Sequence, residues 1–126
     1  MAKKKGMNKR IKAKWVKALR SRKYKQVEGC LKDESEEKPM YCCLGVLCDL
    51  YVKEQKKSTD STWDRWGNQV LPQEVQDWAG LDSDNPSFNM GRNDSIYDSI
   101  YESLSGLNDD RNYSFGKIAK VIEEKL

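Results

Sequence analysis

The chain has 126 residues, of which 37% are hydrophobic, 10% aromatic and 34% charged, and its formal net charge is +3. This length suits one domain with a modest core, and the aromatic content argues against a disordered chain. No apolar run approaches the ~18 residues of a membrane span, and no apolar region follows the basic N-terminus as in a secretory signal. Histidine is absent, which excludes Ser-His-Asp triads and His-ligated metal sites. We therefore expect a cytoplasmic protein without membrane contact, metal or cofactor.

The charges are distributed unevenly along the chain. Residues 1–26 carry twelve basic and no acidic side chains, whereas the remaining hundred residues carry 11 basic and 20 acidic ones. Such a segregated charge indicates the kind of partner rather than the fold. The basic segment can meet nucleic acid through residues 3–25, the acidic remainder of its own chain, or a second copy in a homo-oligomer.

The N-terminal elements are the first that the pattern defines. Residues 1–7 are typical of a flexible basic tail, and residues 8–126 are predicted to form a single globular domain. Asn8 is a favourable N-cap for an amphipathic helix over residues 8–21. The apolar side chains of this helix recur at three- and four-residue spacing: Ile11, Trp15, Ala18 and Leu19.

The next stretch is predicted to form strands and a buried helix. Alternation before and after a polar acidic turn favours a hairpin over residues 24–43. Aliphatic residues at helical spacing then predict a short buried helix over 44–53. A second hairpin is predicted over 63–71, where a Gly-Asn step marks a turn.

Three helices are predicted in the second half. The first runs over 72–80, with proline at its start and glycine at its end. The second follows a loop, begins at Asn93 or Asp94 and ends at Gly106, and the third is capped by Ser114. The predicted fold class is α+β, with four to five helices around a small antiparallel sheet.

The four cysteines are predicted to be reduced thiols in the core. Cys42, Cys43 and Cys48 lie among aliphatic residues, where free cysteine behaves as a small hydrophobic group. Adjacent cysteines suit zinc poorly, although Cys30 could join them across the hairpin. No histidine is present to activate a thiolate. We therefore predict no catalytic and no metal-binding residue.

Polar side chains surround one tyrosine directly after the first helix, within residues 20–26. Arginine forks suit phosphate, and a tyrosine ring can stack on a base. The alternative is that this basic face docks on acidic surface of the same protein or of a second copy. The predicted ligand-binding residues are Arg20, Lys23, Tyr24 and Gln26, with Asn108 and Asp109 from the C-terminal half contacting a base or ribose.

Several runs resemble a family of small uncharacterised phage and prophage proteins over nearly the whole chain. The matching residues are Trp15, Ala18-Leu19-Arg20-Ser21, Tyr24, Gln26, Gly29, Leu31, the run Cys42-Cys43-Leu44-Gly45-Val46-Leu47-Cys48-Asp49-Leu50, Leu71-Pro72, Trp78-Ala79-Gly80-Leu81, Leu107-Asn108-Asp109, Ser114-Phe115, Ile118-Ala119 and Ile122-Glu123. The resembling proteins tend to carry glycine where this chain has Arg22 and Val27.

The resemblance implies a phage or prophage source and a role in the cytoplasm of the infected bacterium, without naming an activity. We expect a non-enzymatic protein that counters host defence or redirects host machinery by stoichiometric binding of an anionic, nucleotide-like ligand. One alternative is an inhibitor of a host bacterial protein that acts through the acidic stretch 94–110. Another is a nucleic-acid-binding protein that uses the basic N-terminal helix.

Overall fold

The computed structural model describes residues 7–35, 37–55, 70–92, 99–109 and 113–126, with the backbone alone over 87–92 and 99–102. Five helices lie in this part of the chain: α1 (Lys9–Arg20), α2 (Cys43–Glu54), α3 (Gln73–Ala79), α4 (Leu104–Asp109) and α5 (Phe115–Lys125). The strands are β1 (Lys25–Gln26), β2 (Lys32–Asp33), β3 (Met40–Tyr41), β4 (Ser87–Arg92) and β5 (Ser99–Ser103). The predicted α+β class is confirmed.

The small sheet is mixed rather than antiparallel. Strand β3 lies in the middle, antiparallel to β2 and parallel to β1, with Lys25 opposite Met40 and Lys32 opposite Tyr41. Of the hairpin predicted over 24–43, only the antiparallel pairing of β2 with β3 forms, because β1 pairs with β3 in parallel. Each strand has two residues, and alternation over so short a stretch does not determine which neighbour a strand pairs with.

Strand β5 lies where a helix was predicted, and its partner β4 lies in the loop predicted before that helix. Strands β4 and β5 pair antiparallel from Ser87 opposite Ser103 to Arg92 opposite Ser99, and the following helix begins only at Leu104. The helical spacing of the apolar residues is a weak guide in a stretch that also contains strand-favouring Ile and Tyr. The hairpin predicted over 63–71 lies outside the described residues except for its last two, and these are not in a strand.

The helix ends follow the sequence signals closely. The Asn8 side chain accepts hydrogen bonds from the backbone N–H groups of Arg10 and Ile11 at 2.9 and 3.1 Å. Ser114 caps α5 by accepting from Lys117 N at 3.3 Å. Gly80 ends α3 in the left-handed conformation, with φ of 77°. These caps were predicted because each satisfies backbone groups that the helix leaves unpaired.

The core lies between α1, α2 and α5. Trp15 of α1 is fully buried, and its indole N–H donates to the backbone oxygen of Cys43 at 2.9 Å, which ties α1 to the start of α2. Met7, which the sequence placed in the tail, is only 6% exposed and belongs to this core. None of the helices in the described ranges is long and apolar enough to cross a membrane.

Candidate functional site: a lysine-lined groove around Tyr24

A buried carboxylate fixes Tyr24 in place. The Tyr24 hydroxyl donates to Asp49 Oδ2 at 2.6 Å, and the ammonium group of Lys53 lies 3.0 Å from the same oxygen. Asp49 is only 5% exposed and lies in the middle of α2, between apolar residues on either side. The rings of Tyr41 and Tyr24 are nearly perpendicular, with centroids 5.2 Å apart. Because hydroxyl and ring are both held, the orientation of Tyr24 is set before any ligand arrives.

Both tyrosines of this cluster remain protonated at neutral pH. Burial and the hydrogen bond to Asp49 raise the pKa of Tyr24 well above its ordinary value. Burial and the charge of Asp49 also raise the pKa of Tyr41 to about 12. A phenol with a raised pKa is a poor general base, so the cluster offers a ring and a fixed dipole rather than a proton acceptor.

Two concavities, of about 350 and 320 Å³, flank Tyr24 and share Lys23, Tyr24 and Lys53 as lining residues. We call the two together the Tyr24 groove. The remaining lining residues come from α1, β1, the approach to β3, β3 itself and α2: Lys14, Lys17, Ala18, Ser21, Lys25, Lys38, Pro39, Tyr41, Asp49 and Leu50. Six lysines therefore lie around one tyrosine.

Among the residues that the structure describes, four of these lysines have no carboxylate partner. Lys14 pairs with Glu54 at 2.8 Å and Lys53 pairs with Asp49. The other four make no ion pair with any residue in the described ranges, and each is exposed: Lys17, Lys23, Lys25 and Lys38. Concentrated positive charge at a concave surface attracts anions.

A strained turn carries the chain from α1 into the groove. Arg22 has φ of 66° and is the only non-glycine residue with positive φ in the described part of the chain. The turn is held by Ser21, whose hydroxyl donates to Ala18 O at 2.7 Å and accepts from Lys23 N at 3.1 Å. The turn redirects the chain at the end of α1. As a result, Lys23 and Tyr24 line the same concavity as Lys17.

We expect Arg22→Gly to stabilise the protein by about 0.5 kcal/mol. Left-handed backbone costs an L-residue about 1 kcal/mol or more, and the greater freedom of glycine in the unfolded chain offsets part of that gain. Urea unfolding measures the change. The control is Arg22→Ala, which removes the same side chain and keeps the strain. Equal stability of the two variants would show that φ is not the cause.

Gln26 and Asn108 come together as predicted, but they bond to each other and to the fold. Gln26 Nε2 donates to Asn108 Oδ1 and to the backbone oxygen of Tyr113, both at 2.8 Å. Asn108 Nδ2 donates to the backbone oxygen of Val27 and to Asp109, both at 2.8 Å. Asn108 is fully buried, so these groups join β1 to the C-terminal helices.

The other predicted residues lie apart from this pair. Lys23 and Tyr24 line the Tyr24 groove, whereas Gln26 and Asn108 line a separate concavity of about 520 Å³. Arg20 forms a two-bond pair with Glu123 at 2.8 and 3.0 Å. This pairing lowers the pKa of Glu123. An anion that approached Arg20 would therefore compete with a carboxylate that is already bound to the guanidinium.

The predicted ligand-binding set left out several charged residues of the groove: Lys14, Lys17, Lys25, Lys38, Asp49 and Lys53. Lys38 and Lys53 are distant in sequence from Tyr24, and no local pattern links them to it. Asp49 carried a usable signal, because a carboxylate inside a buried apolar helix must find a partner. That partner is the Tyr24 hydroxyl.

Three of the four cysteines are packed as core thiols, as predicted, whereas Cys30 lies outside the core. Cys42, Cys43 and Cys48 are buried and Cys30 is partly exposed, all with free thiols. Burial raises the pKa of Cys42 to about 11 and raises those of Cys43 and Cys48 well above the ordinary value. No group of three or more Cys, Asp or Glu side chains within the described ranges is arranged to hold a metal ion.

Glu54 joins the basic face of α1 to α2. Its carboxylate accepts two bonds from Arg10 at 2.9 Å, one from Lys14 at 2.8 Å and one from the Trp78 indole at 3.1 Å. These donors hold the pKa of Glu54 far below its ordinary value of 4.5. The carboxylate therefore stays charged in the folded protein at a pH where it is protonated in the unfolded chain.

We expect Glu54→Gln to make stability less sensitive to acid. A carboxyl group with a lowered folded-state pKa stabilises the fold above pH 4.5, and this contribution disappears as the pH falls further. The wild-type protein should thus lose more stability than Glu54→Gln between about pH 5 and about pH 2.5. Urea unfolding at both pH values measures this, and parallel losses would contradict it.

Fold and site together define a small α+β domain with a preformed cationic groove around a fixed tyrosine. The chain belongs to the family described as Domain of unknown function (DUF8296), which matches residues 7–126. No curated protein and no solved structure matches the chain.

Proposed function

We propose that this protein binds an anionic, nucleotide-like ligand in the Tyr24 groove and acts by holding it rather than by converting it. The observation that carries the proposal is the placement of four lysines, none of which forms an ion pair within the described ranges, around a tyrosine whose orientation is fixed. Lysine ammonium groups bind phosphate oxygens, and a phenol ring stacks on a base.

The chemistry of the lining supports binding over catalysis. The tyrosines are protonated, Asp49 is engaged by Tyr24 and Lys53, and the chain has no histidine. Because burial and Asp49 raise the pKa of both tyrosines, neither phenol is suited to shuttle a proton near neutral pH. A stoichiometric binder needs only complementary charge and shape.

The biological setting follows from the resemblance noted above and belongs to this proposal. A phage-encoded protein that captures a nucleotide-like ligand in the cytoplasm of an infected bacterium can counter a host defence that depends on that ligand. Inhibition of a host protein through residues 94–110 stays an alternative. Of this stretch, residues 99–109 lie in the described part of the chain. Capture of a host protein without any nucleotide affinity would favour it.

Calorimetric titration with ADP tests the proposal. We expect ADP to bind the wild-type protein, and neutral adenosine to bind at least about tenfold more weakly, because it offers no phosphate to the lysines. The double variant Lys23→Glu/Lys25→Glu should lose at least about tenfold in ADP affinity.

The matched control is Lys120→Glu/Lys125→Glu, which changes the net charge equally on α5, away from the groove. It should keep ADP affinity within about twofold. Equal losses in both double variants would mean that net charge alone attracts the nucleotide. Failure of the wild-type protein to bind ADP or any other nucleoside phosphate would overturn the proposal.

A further inference from the structure

The Tyr24 groove continues into a third and larger concavity on the exposed side of α1. This concavity has a volume of about 760 Å³ and shares Lys17 and Ser21 with the groove. Its floor contains the apolar side chains of Ala13 and Val16. Because the concavities share walls, a ligand that fills one can extend into the next without leaving the surface.

The new concavity adds cationic side chains to the same surface. Lys9 and Lys12 line it, and neither makes an ion pair with a residue that the structure describes. Its acidic lining residue, Glu123, is already engaged by Arg20. Six lysines that form no ion pair in the described part of the chain thus follow one another across the three concavities: Lys9, Lys12, Lys17, Lys23, Lys25 and Lys38.

The extent of this surface exceeds what one nucleotide can cover. Helix α1 has 12 residues and is therefore about 18 Å long, and its lysines lie along most of that length before the chain turns into the groove. A series of cationic side chains with an aromatic ring is the arrangement by which proteins follow the backbone of an unpaired strand.

We propose that the ligand of the Tyr24 groove is a short single-stranded nucleic acid, whose phosphates contact the lysines from Lys9 to Lys38 while one base stacks on Tyr24. This inference rests on the proposed function of the groove. A duplex is disfavoured because its paired bases present no free face to the ring. The excess of acidic residues in the remaining hundred residues would also repel a rigid duplex that extends past the lysines.

Fluorescence anisotropy with labelled oligothymidylate of about eight nucleotides, a length that one such surface can cover, tests the inference. Unlabelled thymidine monophosphate serves as the competitor. We expect the oligomer to bind at least about tenfold more tightly than the monophosphate, because it engages additional lysines. Its affinity should fall with salt by about 0.7 in log–log slope for each phosphate engaged.

The decisive variant is Lys9→Glu/Lys12→Glu, at the end of the surface away from Tyr24. It should lower oligomer affinity at least about tenfold and leave monophosphate affinity within about twofold. Lys9 is the first residue of α1, where an acidic side chain interacts favourably with the helix dipole, whereas Lys12→Glu places a like charge near Glu123. Urea unfolding therefore checks that the double variant is folded. The control Lys120→Glu/Lys125→Glu should change neither affinity by more than about twofold.

The outcomes separate this inference from the proposed function. The single-strand assignment is overturned if the wild-type protein binds oligomer and monophosphate with equal affinity. It is also overturned if Lys9→Glu/Lys12→Glu lowers both affinities equally. Either result leaves nucleotide binding intact. A duplex of the same length that binds as tightly as the single strand also overturns it. Binding of neither oligomer nor monophosphate overturns both.

Discussion

Replacing Gly45 with alanine is expected to destabilise the protein by about 3 kcal/mol or more. Gly45 lies in the first turn of α2, where a Cβ atom would stand 1.8 Å from the backbone oxygen of Leu31 and 2.8 Å from its carbonyl carbon. A backbone group cannot rotate aside as a flexible side chain can. The helix and the segment that leads into β2 would have to separate.

The separation would also break contacts on either side. The Leu31 oxygen accepts a hydrogen bond from Cys42 N at 3.2 Å, and Leu31 itself is fully buried. Movement of Leu31 therefore opens the core and the start of α2 together.

Thermal and urea unfolding measure the Gly45→Ala effect, and Gly116→Ala is the matched control. Gly116 is also in the first turn of a helix, but a Cβ there meets only the Ser114 hydroxyl, at 3.9 Å. Because alanine is the better helix former, Gly116→Ala should be neutral or stabilising by up to about 1 kcal/mol. A Gly45→Ala protein as stable as the control would mean that α2 does not pack this closely on Leu31.

Asn108→Ala is expected to cost about 3 kcal/mol or more. The Asn108 side chain accepts from Gln26 and from Cys43 N, at 2.8 and 3.3 Å, and donates to the backbone oxygen of Val27 at 2.8 Å. Alanine would leave buried backbone groups without partners, and each such group costs about 1–3 kcal/mol. The loss also leaves a cavity where the amide stood.

Urea unfolding of Asn108→Ala against Gln73→Ala measures this cost. Gln73 is an exposed amide whose side chain bonds Asp77 at 2.9 Å, so its removal should change stability by no more than about 0.5 kcal/mol. If Asn108 served a ligand instead of the fold, Asn108→Ala would be as stable as Gln73→Ala and would lose ligand affinity alone.

Local signals predicted the local parts of this fold well. The Asn8 and Ser114 caps and the Gly80 stop each depend on a few neighbouring residues, and the structure confirms them. Pairing between distant segments was not predictable in the same way. The parallel pairing of β1 with β3 and the approach of Gly45 to Leu31 depend on how α2 packs, which no short pattern encodes.

In the candidate site, too, local features could be predicted and contacts between distant residues could not. Lys23 and Tyr24 were predicted because they are adjacent in an unusually basic stretch. The sequence could not show that Arg20 forms an ion pair, because its partner Glu123 lies 103 residues away. Asn108 was predicted to face a ligand, whereas its burial makes it a joint between β1, α2 and α4. Polarity alone does not tell whether a side chain serves a ligand or the fold.

Nuclear magnetic resonance titration of the backbone amides with ADP tests the central claim most directly, because it reports where the nucleotide binds. At about millimolar ADP, we expect shifts concentrated at Lys23, Tyr24, Lys25, Lys38 and Lys53, with the exposed face of α5 around Lys120 unchanged. Shifts confined to the concavity of Gln26 and Asn108, or no shifts at all, would contradict the claim that the Tyr24 groove is the binding site.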